Sequence, residues 1–224
     1  MKFVSRLQWG ARAPRSTVAL QHVDTVVYHY TAADADEQAN HGNCDNRVRG
    51  VQGYHMDHNG WNDIAYNFLV CKHGYVFEGR GYWNRSAATG LANGHTVAVC
   101  FLGDDTANRD DVTDEGRQAL VDVTKEIQRR WRKRLAYKGH RDFMSTSCPG
   151  NELYAYVHSS RFAARISGER LPGPVPKPAE FFLWADWRRG GAQGPRPVPL
   201  AWVVRNANWC WRALAEFNRR HPPQ

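Results

Sequence analysis

The stretch 171–178 carries four prolines in eight residues and constrains the fold of this chain more than any other feature. Proline fixes the backbone φ angle and removes an amide donor, so neither a helix interior nor a central strand can pass through the stretch. Such a sequence is typical of a semi-rigid extended linker. We therefore predict a main domain over residues 1–170, a Pro-rich linker over 171–178 and a separate tail over 179–224.

The main domain mixes short apolar runs with amphipathic segments. Residues 23–30 and 96–102 are rich in β-branched side chains and predict buried strands. Residues 67–71 and 75–78 flank a Lys-His-Gly turn and predict a hairpin. Helical spacing predicts three helices, over residues 47–57, from the Thr113 cap to Trp131, and over 152–166. The order of these elements predicts an α/β (α+β) domain with one central sheet flanked by helices.

Composition places the chain among globular proteins, because 42% of its residues are hydrophobic and 23% are charged. No apolar run approaches the roughly 18–20 residues of a membrane-spanning helix, so we expect none. The N-terminal residues lack the apolar core of a secretory signal. Without such a signal, the five cysteines are expected to be thiols or metal ligands rather than disulfides.

The net charge of +8 is concentrated in the tail, where residues 171–224 contain eight Lys/Arg and three Asp/Glu together with five of the nine tryptophans. Apolar residues at helical spacing predict a helix near 199–218. This helix either docks on the main domain or binds an anionic cell-wall polymer through its Trp and Arg side chains. A membrane surface is a further alternative, and nucleic acid is the least favoured partner.

Most of the ten histidines are predicted to have no metal-binding role. His55 and His58 are three residues apart, so they either form a ligand pair or lie on an exposed helix face. Four others occupy polar or turn contexts and are expected at the surface: His22, His41, His73 and His221.

His29, His140 and Cys148 differ from the other candidates. His29 ends a predicted buried strand, and a Gly-His-Arg-Asp segment with Ser-Cys-Pro-Gly shortly after it supplies the other two side chains. Two imidazole nitrogens and one thiolate leave the fourth position of a tetrahedral Zn²⁺ site open, which is the arrangement of catalytic zinc. The spacing alone indicates a zinc site and does not prove one.

Several further motifs occur in the same order as in a known family. They are SRLQWGAR at 5–12, HYTA at 29–32, GWNDIAYNFLV at 60–70, FEGRG at 77–81, GHRD at 139–142 and CPG at 148–150. Over about residues 3–165 the chain resembles the peptidoglycan recognition protein family, part of the type 2 N-acetylmuramoyl-L-alanine amidases that include amidase-type phage lysozymes. The resemblance implies a mixed central sheet and the zinc amidase fold.

The resemblance also implies roles for particular residues. It assigns Zn²⁺ to His29, His140 and Cys148, and catalytic roles to Tyr66 and Thr146. Relatives that only bind peptidoglycan commonly have serine in place of the cysteine, so Cys148 implies a hydrolase. The residues implied to contact the muramyl peptide are His55, Trp61, Asn67 and Arg80. Glu78 and Asp142 are either general bases, partners that orient a histidine, or ordinary loop carboxylates.

Two departures from the family accompany these matches. Tyr30 replaces a second histidine that is not a ligand. Animal members also carry a disulfide near the first helix; Cys44 matches one half, but Gln38 stands at the other, so the resemblance implies that this disulfide is absent.

The predicted function is hydrolysis of the amide between N-acetylmuramic acid and L-alanine in peptidoglycan. A phage endolysin fits best, made in the host cytoplasm and released to the cell wall at lysis. The alternatives are a non-catalytic peptidoglycan-binding recognition protein and a bacterial autolysin or recycling amidase.

Overall fold

The computed structural model describes residues 1–33, 40–104 and 112–168. The predictions for the linker and the tail, including the helix near 199–218, lie outside the described residues. Within the described ranges, no helix is both long enough and apolar enough to cross a bilayer.

A six-stranded mixed sheet forms the centre of the domain. Its strands are β1 (Lys2–Val4), β2 (Thr25–Tyr30), β3 (Phe68–Val70), β4 (Tyr75–Glu78), β5 (Thr96–Phe101) and β6 (Ala136–Gly139). They are arranged in the order β1-β4-β3-β5-β2-β6. The β3–β4 pair is antiparallel, whereas the other neighbouring pairs are parallel. The predicted fold class, the two buried strands and the hairpin are confirmed.

The central strands are buried on both faces, as is usual where helices cover a parallel sheet. Side chains of a strand alternate between faces, and β5 accordingly contributes to two separate apolar clusters. Val97 and Val99 pack on one face in a cluster with Val26 of β2, whereas Cys100 packs with Cys44 on the other face.

Four α-helices cover the sheet: α1 (Gly42–Gly53), α2 (Asp114–Trp131), α3 (Asn151–Val157) and α4 (Ser160–Ser167). The helix α1 begins five residues before the predicted start and continues as a π-helical turn to His58. The hydroxyl of Thr113 accepts a hydrogen bond from the Gly116 amide at 3.0 Å, which confirms the predicted cap of α2.

The single helix predicted over 152–166 is wrong, because the chain forms two helices there. The Ser159 hydroxyl accepts a hydrogen bond from the Phe162 amide at 3.1 Å and starts α4 as a separate helix. Serine at this position competes with the backbone for hydrogen bonds and therefore favours a helix start over a helix interior.

The edge strands β1 and β6 were not predicted. Three of the four β6 residues are at least partly exposed, so the strand lacks the apolar run that marks a buried strand. Its position matters, because Gly139 at its end pairs with Tyr28 in β2. His29 follows Tyr28 in β2 and His140 follows Gly139 at the end of β6, so the two histidines come to the same carboxyl edge of the sheet.

Candidate functional site

Three metal-ligating side chains meet at this carboxyl edge, and we call them the cleft cluster: His29, His140 and Cys148. His29 is the fifth residue of β2 and is only 1% exposed. His140 begins the short 3₁₀ turn after β6, and Cys148 lies on the loop that precedes α3. Rigid strand ends therefore hold both imidazoles, which is how a precise site is best supported.

The ligand atoms of the cleft cluster all lie within 4.8 Å of one another. The Sγ atom of Cys148 lies 3.7 Å from Nδ1 of His29, and the two imidazole ring centres are 4.5 Å apart. The structure thus brings together the three residues for which the sequence predicted a common ion.

The protonation states of the cleft cluster suit a cation. Burial, together with the neighbouring His140, holds the pKa of His29 well below its usual value, and burial also lowers the pKa of His140. Both rings are therefore neutral donors of electron pairs at pH 7. Nε2 of His140 is buried and has no hydrogen-bond partner among the described residues. A buried nitrogen of this kind is costly unless it binds something, so the cluster fits a bound metal ion.

Seven of the nine predicted site residues line one cleft of about 330 Å³: His29, His140, Cys148, Tyr66, Thr146, His55 and Trp61. Because the cleft cluster opens into this space, a substrate could reach an ion held there.

Tyr66 lies against the cleft cluster, with its ring centre 5.4 Å from that of His29. Burial, together with the thiols of Cys100 and Cys148, raises the pKa of Tyr66 well above its usual value. The phenol therefore keeps its proton at neutral pH and remains a hydrogen-bond donor. On the cleft wall beyond it, the rings of His55 and Trp61 are stacked with centres 4.9 Å apart.

Asn67 and Arg80 are not brought to the cleft. Asn67 is fully buried, and its amide group donates to the carbonyls of Gly81 and Asn84 at 2.8 Å each and accepts from the Ala98 amide. The guanidinium of Arg80 donates to the carbonyls of Ile64, Arg85 and Asp63. Since these polar groups hold neighbouring backbone in place, we do not retain either residue as a substrate contact.

Glu78 and Asp142 also do not line the cleft. Glu78 accepts a hydrogen bond from the Arg6 amide. Asp142 accepts from the Gly139 amide at 2.8 Å and from the Tyr154 hydroxyl at 2.7 Å, which braces the turn that presents His140. Of the interpretations left open for these carboxylates, a structural role in the loops agrees with the contacts.

Two residues of the site were missed in the sequence. The Thr89 hydroxyl is buried and lies 3.3 Å from Nε2 of His29, on the side of the ring away from Cys148. The thiol of Cys100 is fully buried in the apolar cluster against which Tyr66 packs, and it contributes to the raised pKa of Tyr66. Neither stands in a motif with a chemical signature, and only the fold brings them to the site.

The cysteine prediction is confirmed for the four described cysteines, none of which forms a disulfide: Cys44, Cys71, Cys100 and Cys148. Cys210 lies outside the described residues. His22 is exposed as predicted, but His41 and His73 are half-buried beside Cys44 and Cys71. The surface prediction for these two histidines is therefore wrong, because the hairpin folds them against the start of α1.

The fold and the site define a class of protein: an α/β domain that carries, in an open cleft, a His-His-Cys cluster able to hold a metal ion. Comparison with known proteins agrees with this class. A family model described as N-acetylmuramoyl-L-alanine amidase matches residues 19–151. Peptidoglycan-recognition protein SC1a/b of Drosophila simulans is 34% identical over an alignment of 164 residues, and the match covers 70% of this chain and 86% of that protein.

Solved structures show the same likeness. The ectodomain complex of peptidoglycan recognition proteins LCa and LCx bound to tracheal cytotoxin matches with a TM-score of 0.66 and 32% identity, covering 71% of this chain and 96% of that one. Peptidoglycan recognition protein LE, in complex with tracheal cytotoxin, a monomeric diaminopimelic acid-type peptidoglycan, matches with a TM-score of 0.64 and 28% identity, covering 69% and 91%. This chain belongs to the family of peptidoglycan recognition proteins and type 2 N-acetylmuramoyl-L-alanine amidases.

Proposed function

We propose that this protein is a zinc-dependent N-acetylmuramoyl-L-alanine amidase, which hydrolyses the amide between N-acetylmuramic acid and L-alanine in peptidoglycan. The observation that carries the proposal is the convergence of His29, His140 and Cys148 within 4.8 Å in an open cleft. Relatives bound to a muramyl peptide support peptidoglycan as the ligand of that cleft.

The donor set supports zinc as the cofactor. Two imidazoles and one thiolate are borderline-soft ligands, and three protein ligands leave one position for water or substrate. A bound Zn²⁺ ion would polarise the amide carbonyl and lower the pKa of water towards about 7. Thr89 orients the His29 ring from behind, as partners of metal-binding histidines commonly do.

Tyr66 is the proposed donor to the oxyanion that forms when the amide carbonyl is attacked. Its hydroxyl is protonated at neutral pH for the reason given above, and Tyr66 packs against the apolar cluster that contains the thiol of Cys100. A thiol is a weak partner, so the phenol gains when it donates to an oxyanion instead. Because the hydrogen bond donated by Tyr66 would be stronger in the transition state than in the ground state, it would lower the activation barrier.

His55 is proposed to hydrogen-bond the substrate as a neutral imidazole. Its Nδ1 accepts a hydrogen bond from the Ala65 amide at 3.1 Å, so the ring proton is on Nε2. Burial and the nearby Arg80 lower the pKa of His55 to about 4, which keeps the ring uncharged in neutral solution. A fixed neutral donor suits a peptide carbonyl, and the adjoining Trp61 offers an apolar face.

Thr146, which also lines the cleft, is proposed to assist. Its hydroxyl oxygen accepts a hydrogen bond from the Cys148 amide at 3.2 Å, which leaves the hydroxyl proton for another acceptor. No described residue that lines the cleft is an Asp or Glu. Proton donation near the scissile amide therefore falls to hydroxyl groups and His55.

The test is digestion of purified peptidoglycan by the full-length protein, scored as new amino groups of L-alanine against new reducing sugar ends. We expect amino groups without reducing ends, and loss of this release in His29→Ala and Cys148→Ser. His22→Ala, an exposed histidine, serves as the matched control. Release of reducing ends would show a glycosidase and contradict the proposal.

The second candidate is a recognition protein that binds without turnover, favoured by the names of the relatives. It predicts that metal-replete protein pulls down with insoluble peptidoglycan and releases no amino groups. That result would replace the amidase proposal.

We further propose that the amidase acts as a phage endolysin, made in the host cytoplasm and released to the wall. The high positive charge of the chain supports contact with anionic wall polymers. Cells that express the protein in their cytoplasm should lyse only after the membrane is permeabilised, and cells that express Cys148→Ser should not. A preference for soluble muropeptides over intact sacculi would instead indicate a recycling amidase.

A further inference from the structure

A second cluster of metal-ligating side chains lies outside the cleft, and we call it the hairpin cluster: His41, Cys44, Cys71 and His73. His41 immediately precedes α1, and Cys44 lies in the first turn of that helix. Cys71 and His73 lie in the turn that joins β3 to β4. The cluster therefore links two elements that are distant in sequence, by a His-x₂-Cys pair and a Cys-x-His pair.

The distances within the hairpin cluster are close to those of a zinc site. One ligand atom from each of the four residues lies within 4.8 Å of all the others. Sγ of Cys44 is 3.4 Å from Nδ1 of His73, and Sγ of Cys71 is 4.0 Å from Nδ1 of His41. Tetrahedral Zn²⁺ with ordinary bond lengths places its ligand atoms about 3.3–3.8 Å apart. A contraction of about 1.5 Å or less would complete the site.

The backbone holds each pair of ligands on a short, defined turn. The Cys44 amide donates to the His41 carbonyl at 2.9 Å, and the Gly74 amide donates to the Cys71 carbonyl at 3.0 Å. Gly74 has a φ angle of +79°, which glycine adopts without strain. Both pairs are thus positioned by local structure before any ion is present.

The surroundings of the hairpin cluster are those of a closed site. Cys44 and Cys71 are fully buried, and the two histidines are half-buried. The His41 ring is stacked on Tyr75 with ring centres 3.3 Å apart, next to Phe77. None of the four residues lines the cleft described above.

We propose that the hairpin cluster binds a structural Zn²⁺ ion through two thiolates and two imidazoles. Four protein ligands leave no position for substrate, and Cys₂His₂ is a common composition of structural zinc. The two thiolates neutralise the charge of the ion, which suits a largely buried position. The ion would tie the start of α1 to the β3–β4 hairpin, and His55 lies on the π-helical turn that continues α1. This inference does not depend on the proposed amidase activity, although the zinc counts below also assume an ion in the cleft cluster.

The test is the zinc content of the purified full-length protein, measured by mass spectrometry of the metal. We expect two zinc ions per chain in the wild type, one in Cys148→Ser, one in Cys71→Ser and none when both changes are combined. His58→Ala removes an exposed imidazole outside the two clusters, so this control should keep two.

A second measurement needs no change in the hairpin cluster, in case Cys71→Ser fails to fold. X-ray absorption at the zinc edge of Cys148→Ser should show two sulfur and two nitrogen ligands. The proposal is overturned if that variant holds no zinc, or if its ion has no sulfur ligands. It is also overturned if Cys71→Ser keeps two ions, or if peptide mass spectrometry finds Cys44 and Cys71 joined as a disulfide in the native protein.

Discussion

The cleft cluster and the hairpin cluster are built from the same two kinds of ligand, but they differ in number and access. The cleft cluster has three ligands and opens into a space of about 330 Å³. The hairpin cluster has four and is packed under aromatic rings. Because an ion with a free position can act on a substrate while a fully ligated ion cannot, the comparison assigns chemistry to the first and stability to the second.

The two clusters also differ in how the chain assembles them. The hairpin cluster takes its pairs from two short turns, each with its own backbone hydrogen bonds. The cleft cluster takes His29 and His140 from the ends of adjacent parallel strands. Parallel strands need a long crossover between them, so this site exists only once the whole sheet has formed.

The largest expected effect comes from removing a ligand of the cleft cluster. Cys148→Ser should lower the turnover of muropeptide by about 10³-fold or more, because metal stabilisation of the transition state is worth several kcal/mol. Peptidoglycan pull-down should be retained. Turnover within a few-fold of the wild type would contradict this difference between the two clusters, since the cleft cluster would then have no catalytic role.

Tyr66→Phe should lower turnover by on the order of 10²-fold, as the loss of one oxyanion donor typically does. The zinc content should not change, because the phenol is not a ligand. Tyr82→Phe is the matched control, since Tyr82 lies outside the cleft lining. Equal loss of activity in both variants would point to a general disturbance of the fold rather than to a donor in the cleft.

Cys71→Ser tests the structural role assigned to the hairpin cluster. Loss of a structural ion should lower the free energy of unfolding by about 3 kcal/mol, and hence Tm by roughly 6–12 °C for a domain of this size. Turnover at temperatures well below the new Tm should remain within a few-fold of the wild type. Thermal unfolding followed by circular dichroism, with the assay run alongside, separates the two effects. Unchanged Tm would contradict a structural ion.

Thr89→Val sharpens the account of the cleft cluster, because it removes the hydroxyl behind His29 and keeps the shape of the side chain. We expect the affinity for the catalytic zinc to fall by about 10- to 100-fold. Competition with a chromogenic chelator measures this. Thr89→Ser retains the hydroxyl and should remain close to the wild type, whereas equal weakening in both variants would show that packing alone is responsible.

The smallest expected effect concerns pH. The pKa of His55 is about 4 in the folded protein against 6.5 for the free group, so the unfolded chain binds more protons between these values. The contribution of His55 to stability should therefore fall as pH decreases from about 6.5 to about 4, by no more than about 1.4 kcal/mol per pH unit. The difference in unfolding free energy between wild type and His55→Asn, measured across that range, should follow this slope. A constant difference would contradict a buried neutral imidazole.

Much of the fold followed from local sequence signals. The strands of the buried centre, the hairpin and the cap at Thr113 each carry a pattern that depends on near neighbours only. The break at Ser159 and the edge strand Ala136–Gly139 carry no such local pattern. Ser159 lies within a continuous helical spacing of apolar residues, and the edge strand is partly exposed, so tertiary packing decides both structures.

The residues of the candidate site also divide into those that the sequence predicts and those that only the fold reveals. His29, His140 and Cys148 could be named because their residue types and the family motifs coincide. Asn67 and Arg80 lie in those motifs too, yet their side chains hydrogen-bond backbone rather than reach the cleft. The Lys-His-Gly sequence predicts a hairpin turn, but no local sequence pattern indicates that α1 places Cys44 next to this turn.

The most direct test of the central claim, that the open cluster performs metal-dependent amide hydrolysis, is a reconstitution assay. Metal-free full-length protein is incubated with a defined muropeptide before and after zinc is restored, and the products are identified by mass spectrometry. The account predicts intact substrate without metal, and the free peptide with an L-alanine N-terminus once zinc is added. Cleavage of the same bond by the metal-free protein, or binding without cleavage by the zinc-replete protein, would contradict it.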